Sequence, residues 1–240
     1  MAEEVLLDVQ ADGVAIISLH RPSKLNIFNV AMRDALIEAI IAVRDHPDAR
    51  ALLLRADGPH FSAGADLAEF GGAEHILEGR RIRWDRDPWG PLWDLPQPTV
   101  AALHGFAVGS GLEMTLLCDL RFASADTKVG LPETRLGMLP AAGGTQSLTR
   151  AIGRTAALPF IATAQTIDAR TAERLGILHA VVDDVETYAL GVARRLARIE
   201  PDVAAAARRA LHGAGDLPLA AGLELEGRLA RSILRTDQRT

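Results

Sequence analysis

Short apolar runs and amphipathic stretches alternate along the first two-thirds of the chain. "VLLDVQ" and "GVAIISLH", joined by Ala-Asp-Gly, predict a β-hairpin, and "ARALLLRA" and "PTVAALHG" are typical of buried strands. The segment "VAMRDALIEAIIAVRDH" carries apolar residues at helical spacing, and Asn29 is its expected N-cap. Strands that alternate with helices favour a layered α/β core.

The pattern changes towards the end of the chain. "LEMTLLCD" predicts a helix and "LRFASADTKVG" two short strands, whereas from Gly143 onward the chain reads as nearly all helix, apart from a short strand near "LHAVV". The last third is rich in Ala and Arg and has the apolar stripe of amphipathic helices. We therefore divide the chain into a core, residues 1–184, and a helical region, residues 185–240, that packs onto the core or onto another subunit.

Composition and charge exclude several classes of protein. Hydrophobic residues make up 48% of the 240 residues and charged residues 24%, as in ordinary globular proteins. A net charge of −5 opposes binding to nucleic acid, and no apolar run approaches the roughly 20 residues that span a membrane. The acidic start without a leader, together with the single Cys118, which cannot form an intrachain disulfide, predicts a cytoplasmic protein. Histidines and carboxylates show no metal-ligand spacing, so no metal is expected.

Two segments lead from a strand through small residues into a helix. They are "FSAGAD", Phe61 to Asp66, and "GSGLE", Gly109 to Glu113. Small residues let a ligand approach the backbone, whose N–H groups can then face developing negative charge. For the first segment alone, a tight turn with Asp66 as N-cap is the favoured interpretation, and for the second a close-packed strand-to-helix turn is the alternative. The second segment lacks the Gly-Lys-Ser/Thr of a Walker loop and the first glycine of a nucleophile elbow, so Ser110 is not expected to be a nucleophile.

Two glutamates, Glu113 and Glu133, lie in a stretch that otherwise holds small and apolar residues. Burial raises the pKa of a carboxyl group towards the range that suits proton transfer, and two adjacent carboxylates separate their titrations further. Each glutamate alone is more often structural than catalytic. Their occurrence beside two potential backbone-donor loops favours acid–base chemistry.

Together these segments resemble the crotonase superfamily, the enoyl-CoA hydratases and isomerases, from about residue 5 to about residue 235. The resemblance implies a crotonase-type α/β fold, a ββα superhelix core with a helical C-terminal region that mediates assembly into a homotrimer or a dimer of trimers. It implies an acyl-CoA thioester substrate, with coenzyme A as part of the substrate and no separate cofactor. The core, residues 1–184, would hold the CoA and acyl site.

The resemblance also assigns roles to residues. The backbone N–H groups of Ala65 and Ser110 would form an oxyanion hole for the thioester oxygen. Glu113 would orient and deprotonate water for attack on Cβ, and Glu133 would deliver a proton to Cα. The positions that match CoA contacts are Lys24, Ala63, Asp66 and Leu67.

Three departures from the family pattern stand out. Ser110 occupies a position that is usually glycine, so its hydroxymethyl group is expected to crowd or reposition the acyl chain. Ala68 stands where a lysine is frequent. Arg80, Arg81 and Arg83 are candidates to replace that phosphate contact, although a solvated helix face is the favoured interpretation of these arginines. The sequence stops at "RTDQRT", before the last helix that family members usually have.

The acyl group and the reaction are left open. Trp84, Trp89 and Trp93 either line a bulky acyl site or pack beneath a loop. Because both glutamates are present, hydration is the favoured reaction. The alternatives are a 3,2-enoyl-CoA isomerase that uses Glu133 alone, and a non-catalytic acyl-CoA-binding homologue.

Overall fold

The computed structural model describes residues 4–70 and 85–237. Its first two strands, β1 (Val5–Val9) and β2 (Val14–Leu19), form the predicted antiparallel hairpin. Helix α1 (Val30–Asp45) begins as the sequence predicts, because the side chain of Asn29 accepts a hydrogen bond from the N–H of Met32 at 2.8 Å.

The remaining elements alternate as the sequence pattern indicates. In chain order they are β3 (Ala51–Ala56), α2 (Leu67–Phe70), α3 (Trp89–Trp93), β4 (Thr99–Leu103), β5 (Phe106–Val108), α4 (Ser110–Leu116), β6 (Leu120–Ala123), β7 (Lys128–Gly130), α5 (Gly144–Ala162), β8 (Thr166–Asp168), α6 (Ala169–Leu175), β9 (Ala180–Val181), α7 (Val185–Leu196), α8 (Pro201–Ala214) and α9 (Leu219–Asp237). Short 3₁₀ turns cover Pro22–Lys24 and Pro132–Leu136, and α5 is broken at Gly153.

Within the described residues the strands form two sheets. The larger sheet has the order β1-β2-β3-β4-β6-β9, and every pair beyond the first hairpin is parallel. The smaller sheet has the order β5-β7-β8, with β5 parallel and β8 antiparallel to β7. Parallel neighbours require crossover connections, and these connections carry the loops that build the site described below.

The larger sheet is covered on both faces. Along β2, Ala15, Ile17 and Leu19 pack into one hydrophobic cluster with α1, while Val14 and Ile16 pack into a second cluster with α7. Strands β3 and β4 divide their residues between the same two clusters in the same alternating way. Successive side chains of a strand point to opposite faces, so a strand with both faces buried reads as a continuous apolar run.

The helical prediction for the chain after Gly143 was wrong at one place, because Thr166–Asp168 form strand β8. This strand pairs with β7 through Lys128, Val129 and Gly130. Three residues between two helices are too few to show a period, so pairing with β7 decides their conformation. No helix within residues 4–70 and 85–237 is long and apolar enough to cross a membrane.

Candidate active site

The two small-residue loops lie against each other at the ends of the crossover strands. Isolated parallel bridges join Ser62 to Ala107 and Phe28 to Ala65. A Cβ added to Gly64, which has φ +98°, would lie 3.2 Å from the carbonyl oxygen of Val108, and one added to Gly109, φ +54°, would lie 3.5 Å from the Cα of Gly64. Positive φ favours glycine at both positions, and the close approach of Val108 adds a steric reason at Gly64.

The hydrogen bonds that hold the two loops leave the N–H groups of Ala65 and Ser110 without an acceptor in the described part of the chain. The first loop is bonded to Phe28 on either side of Ala65. The N–H of Phe28 donates to the carbonyl of Gly64, and the N–H of Asp66 donates to the carbonyl of Phe28, each at 2.8 Å. The N–H of Ala65 therefore points away from Phe28. Ser110 is the first residue of α4, so its N–H lies in the first turn of the helix. The N–H of the preceding residue, Gly109, donates to the carbonyl of Gly130 at 2.9 Å. Among the described residues, neither Ala65 nor Ser110 donates its N–H to an acceptor.

Glu113 lies in the first turn of α4 and is 2% exposed. Its Oε1 accepts hydrogen bonds from the N–H of Ala142 at 2.9 Å and from the N–H of Gly144 at 3.0 Å. A Cβ at Gly144 would lie 2.7 Å from this oxygen, so the chain before α5 can approach the carboxylate closely because the residue is glycine. The glutamate is thus fixed between two elements.

Glu133 lies in the 3₁₀ turn Pro132–Leu136, directly after β7, and is partly buried. Its Oε2 is sealed from solvent and has no hydrogen-bond partner among the described residues. Its Oε1 lies close to Gly109, because a Cβ added to that glycine would be 2.8 Å from this oxygen. A buried polar atom without a partner is uncommon and points to a ligand or water contact.

The protein environment opposes ionisation of both carboxyl groups. Burial, followed by the negative charge of Glu133, raises the pKa of Glu113 to about 7, although the bonds from Gly144 and Ala142 act in the opposite direction. Burial also raises the pKa of Glu133. Around pH 7 the pair can therefore hold one proton, and in that state one carboxyl can accept a proton and the other can donate one.

A cavity of about 260 Å³ brings these groups together. Its polar wall contains Ser110, Glu113 and Glu133, and Ala65 lies in the same wall. Its apolar wall contains Phe28, Leu67, Trp89, Met138 and Leu139. A largely apolar cavity with a few converging polar groups is the usual form of a small-molecule site.

Of the predicted CoA positions, Leu67 lines this cavity, whereas Lys24, Ala63 and Asp66 lie outside its wall. Lys24 is exposed in the 3₁₀ turn Pro22–Lys24. The N–H of Ala63 donates to the carbonyl of Leu25 at 3.0 Å, which ties the first loop to the segment that carries this lysine.

The structure assigns different positions to the tryptophans. Trp89 lines the cavity, with its ring centroid 5.3 Å from that of Phe28. Trp93 instead stacks on the ring of His212 in α8, at 3.8 Å between centroids, away from the cavity. Trp84 and the candidate phosphate ligands Arg80, Arg81 and Arg83 lie outside the described residues.

Sequence reasoning missed the backbone donors of Ala142 and Gly144 and the cavity residue Arg33. Arg33 is 5% exposed and forms a 2.7 Å ion pair with Asp34. The pair Gly143–Gly144 at the start of α5 was the available signal for the donors, since glycine permits a close approach of the backbone. Nothing in the local sequence distinguishes Arg33 from a surface arginine of an amphipathic helix.

The cysteine and two histidines near the loops have structural contacts. Burial raises the pKa of Cys118 to about 12, so this thiol is protonated and inert. His104 contacts the carbonyl of Gly58 at 2.9 Å, and the ring of His60 packs on Phe106. Within residues 4–70 and 85–237, no group of three His, Cys, Asp or Glu side chains is arranged to hold a metal ion.

Comparison with known proteins identifies the arrangement. A family model described as "Enoyl-CoA hydratase/isomerase" matches residues 10–240. A probable enoyl-CoA hydratase of Mycobacterium tuberculosis is 35% identical over 100% of this chain and 93% of its own length. The 2,3-dehydroadipyl-CoA hydratase of Escherichia coli is 33% identical over 94% of this chain and 89% of its own length.

Solved structures give the same result for the fold. Subunit I of an enoyl-CoA hydratase from Geobacillus kaustophilus superposes with a TM-score of 0.90 at 32% identity, covering 98% of this chain and 92% of that one. An enoyl-CoA hydratase from Bacillus anthracis superposes with a TM-score of 0.90 at 30% identity, covering 98% and 93%. The predicted crotonase-type α/β fold is thereby confirmed.

Proposed function

This chain belongs to the enoyl-CoA hydratase/isomerase family, and from that premise we propose that it is an enoyl-CoA hydratase, adding water across the 2,3 double bond of an acyl-CoA thioester. The observation that carries the proposal is that one cavity holds two glutamates and two backbone N–H groups that have no acceptor among the described residues. Hydration requires a base, an acid and a site for negative charge, and this cavity offers all three.

The N–H groups of Ala65 and Ser110 bind the thioester oxygen in this proposal. As water attacks Cβ, the electron pair of the double bond moves towards the carbonyl, and the oxygen gains enolate charge. Donors fixed in advance at that oxygen stabilise the transition state more than the ground state. Both N–H groups belong to backbones held by glycine contacts and by β-bridges, so they need no reorganisation during the reaction.

Glu113 takes the proton of the attacking water, and Glu133 delivers a proton to Cα. These roles require the shared proton to lie on Glu133. The two backbone donors to Glu113, which favour its ionised form, and the Oε2 of Glu133, which has no partner among the described residues, support that state, whereas burial and the negative charge of Glu133 raise the pKa of Glu113 and oppose it. After one addition Glu113 holds a proton and Glu133 has lost one, so a proton must pass from Glu113 to Glu133, or through solvent, before the next turnover.

A second candidate reaction is 3-enoyl to 2-enoyl isomerisation. The observation that favours it is the unequal engagement of the carboxylates, because Glu113 already accepts two backbone hydrogen bonds while Oε2 of Glu133 has no partner in the described chain. Glu133 alone would then carry a proton from one carbon to the other. A third candidate is non-catalytic binding of acyl-CoA. The two glutamates argue against it, because placing carboxyl groups with raised pKa values in the cavity wall is unfavourable and mere binding gives them no role.

The test measures wild-type protein with crotonyl-CoA and with a 3-enoyl-CoA, beside Glu113→Gln and Glu133→Gln. We expect hydration by the wild type, and a loss of about 10²–10⁴-fold in kcat for each variant, since general acid–base assistance has that size. CoA binding should be retained, because the predicted CoA positions Lys24, Ala63 and Asp66 lie outside the cavity wall that contains both glutamates. Hydration by Glu113→Gln at the wild-type rate would refute the paired mechanism. Isomerisation without hydration, unaffected by Glu113→Gln, would support the isomerase instead.

We also propose that the chain assembles as a homotrimer or a dimer of trimers through its helical C-terminal region. Large apolar side chains are exposed there, including Leu211 at 74%, Leu219 at 79% and Leu223 at 57%. Exposed apolar surface on adjacent helices is typical of an interface. Light scattering at micromolar concentration tests this, and a monomeric mass would contradict it.

A further inference from the structure

The side chain of Ser110 has no structural partner in the described chain. The residue is 8% exposed and lines the central cavity. Its hydroxyl makes no hydrogen bond with any residue in 4–70 or 85–237, yet it is not among the polar atoms that are sealed from solvent, as Oε2 of Glu133 is. A buried hydroxyl without a hydrogen-bond partner destabilises the folded protein. A hydroxyl that is open to the cavity instead finds its partner in whatever occupies the cavity.

The acceptor within reach of this hydroxyl follows from covalent geometry. In the gauche rotamers of serine, Oγ lies about 3 Å from the backbone nitrogen of the same residue. An oxygen that accepts a hydrogen bond from the N–H of Ser110 therefore lies close to Oγ as well. At the family's usual glycine, the backbone donor would be present without a hydroxyl.

We propose that Ser110 donates two hydrogen bonds to the thioester oxygen, one from its N–H and one from its Oγ–H. With the N–H of Ala65, the oxyanion hole then contains three donors. The hydroxyl keeps its proton throughout, and no covalent bond to serine forms. The bond from Oγ strengthens as the oxygen takes up enolate charge, because a hydrogen bond to a charged oxygen is shorter and about twice as strong as a neutral one. This inference rests on the proposed acyl-CoA chemistry at the cavity.

The competing explanation is that Ser110 only occupies space beside the acyl group. The two explanations differ for Ser110→Ala, which removes Oγ but keeps the N–H and Cβ. They differ again for Ser110→Gly, which also removes Cβ. A donor makes both variants slow, whereas a space-filling residue leaves the alanine variant at the wild-type rate and makes the glycine variant equal or faster.

The experiment follows two reactions of the full chain. One is hydration of crotonyl-CoA, and the other is exchange of the Cα protons of butyryl-CoA in D₂O, which requires the enolate but no double bond. We expect Ser110→Ala and Ser110→Gly to lower both rates about 10-fold or more, since loss of one oxyanion donor is of at least that order. KM should change little, because the third bond gains its strength in the transition state. Ser110→Thr, which keeps a hydroxyl, should recover part of the loss relative to Ser110→Ala.

The outcomes separate this inference from the proposed function. Ser110→Ala with wild-type rates in both reactions, and with wild-type thermal stability as proof of folding, overturns the role of the hydroxyl and leaves the hydratase proposal intact. A wild-type protein that exchanges Cα protons but does not hydrate refutes the hydratase proposal, and the serine series on exchange still decides the inference. A wild-type protein that does neither overturns both.

Discussion

Replacing Glu113 by glutamine should stabilise the protein at alkaline pH while it removes activity. Glutamine has nearly the same shape, and its Oε1 can accept the hydrogen bonds from Ala142 and Gly144 that Glu113 accepts. The substitution removes the ionisation of a carboxyl group whose pKa is raised by burial to about 7. The folded wild type must place that charge in a cavity wall from which water is largely excluded, and the variant does not.

The magnitude follows from the linkage between pKa and stability. A folded-state pKa of about 7 lies above the ordinary value of 4.5, so the contribution of Glu113 to stability is fully present below pH 4.5 and is lost as the pH rises through 7. A shift of this size corresponds to roughly 3 kcal/mol at alkaline pH, most of which develops between pH 5 and pH 8. Any constant cost of the amide group is the same at both pH values and cancels in the comparison.

The assay is urea unfolding of wild type and Glu113→Gln at pH 5 and pH 8, at one protein concentration. The difference in unfolding free energy should move in favour of the variant by roughly 2–3 kcal/mol between the two pH values. Glu226→Gln is the matched control, because Glu226 is exposed on α9 and the same change there should give no comparable pH dependence. A difference for Glu113→Gln that stays constant with pH, within about 0.5 kcal/mol, would refute the buried-carboxylate argument.

Two further substitutions test contacts around the site. Gly109→Ala should lower hydration more than tenfold, because the new Cβ would lie 2.8 Å from Oε1 of Glu133 and φ at this residue is +54°. Gly137→Ala is the control, because φ there is +71° but no atom lies within 4 Å of the added Cβ, so this variant has only the backbone strain and should keep its activity. Equal hydration rates for the two variants would contradict the steric argument. Arg208→Ala should destabilise the protein by about 3 kcal/mol, since its guanidinium bonds Asp119 at 2.8 Å and the carbonyl of Trp93. The exposed neighbour Arg209 serves as the control, and equal urea midpoints for the two alanine variants would show that the buried ion pair contributes nothing.

The sequence alone was sufficient for most of the core. Strands β2, β3 and β4 read as continuous apolar runs because both of their faces are buried, and α1 reads as a helix because its apolar residues recur at helical spacing after a capping asparagine. These patterns lie within single elements, so they can be read from the sequence without knowing how the elements pack together. The glycine and glutamate motifs, in their order along the chain, also indicated the family, since the order and spacing of motifs can be compared with a family pattern without coordinates.

The tertiary structure decided the features that depend on distant partners. Strand β8 exists because β7 is available to pair with it, and Trp89 rather than Trp93 lines the cavity because α3 turns one ring towards Phe28 and the other towards His212. The raised pKa of Glu113 depends on its burial and on the nearby charge of Glu133, twenty positions away in the chain. The N–H groups of Ala142 and Gly144 that hold this carboxylate also come from a separate segment. A carboxyl group, a hydroxyl or an N–H gains its chemistry from the atoms around it, and those atoms are brought near only when the chain has folded.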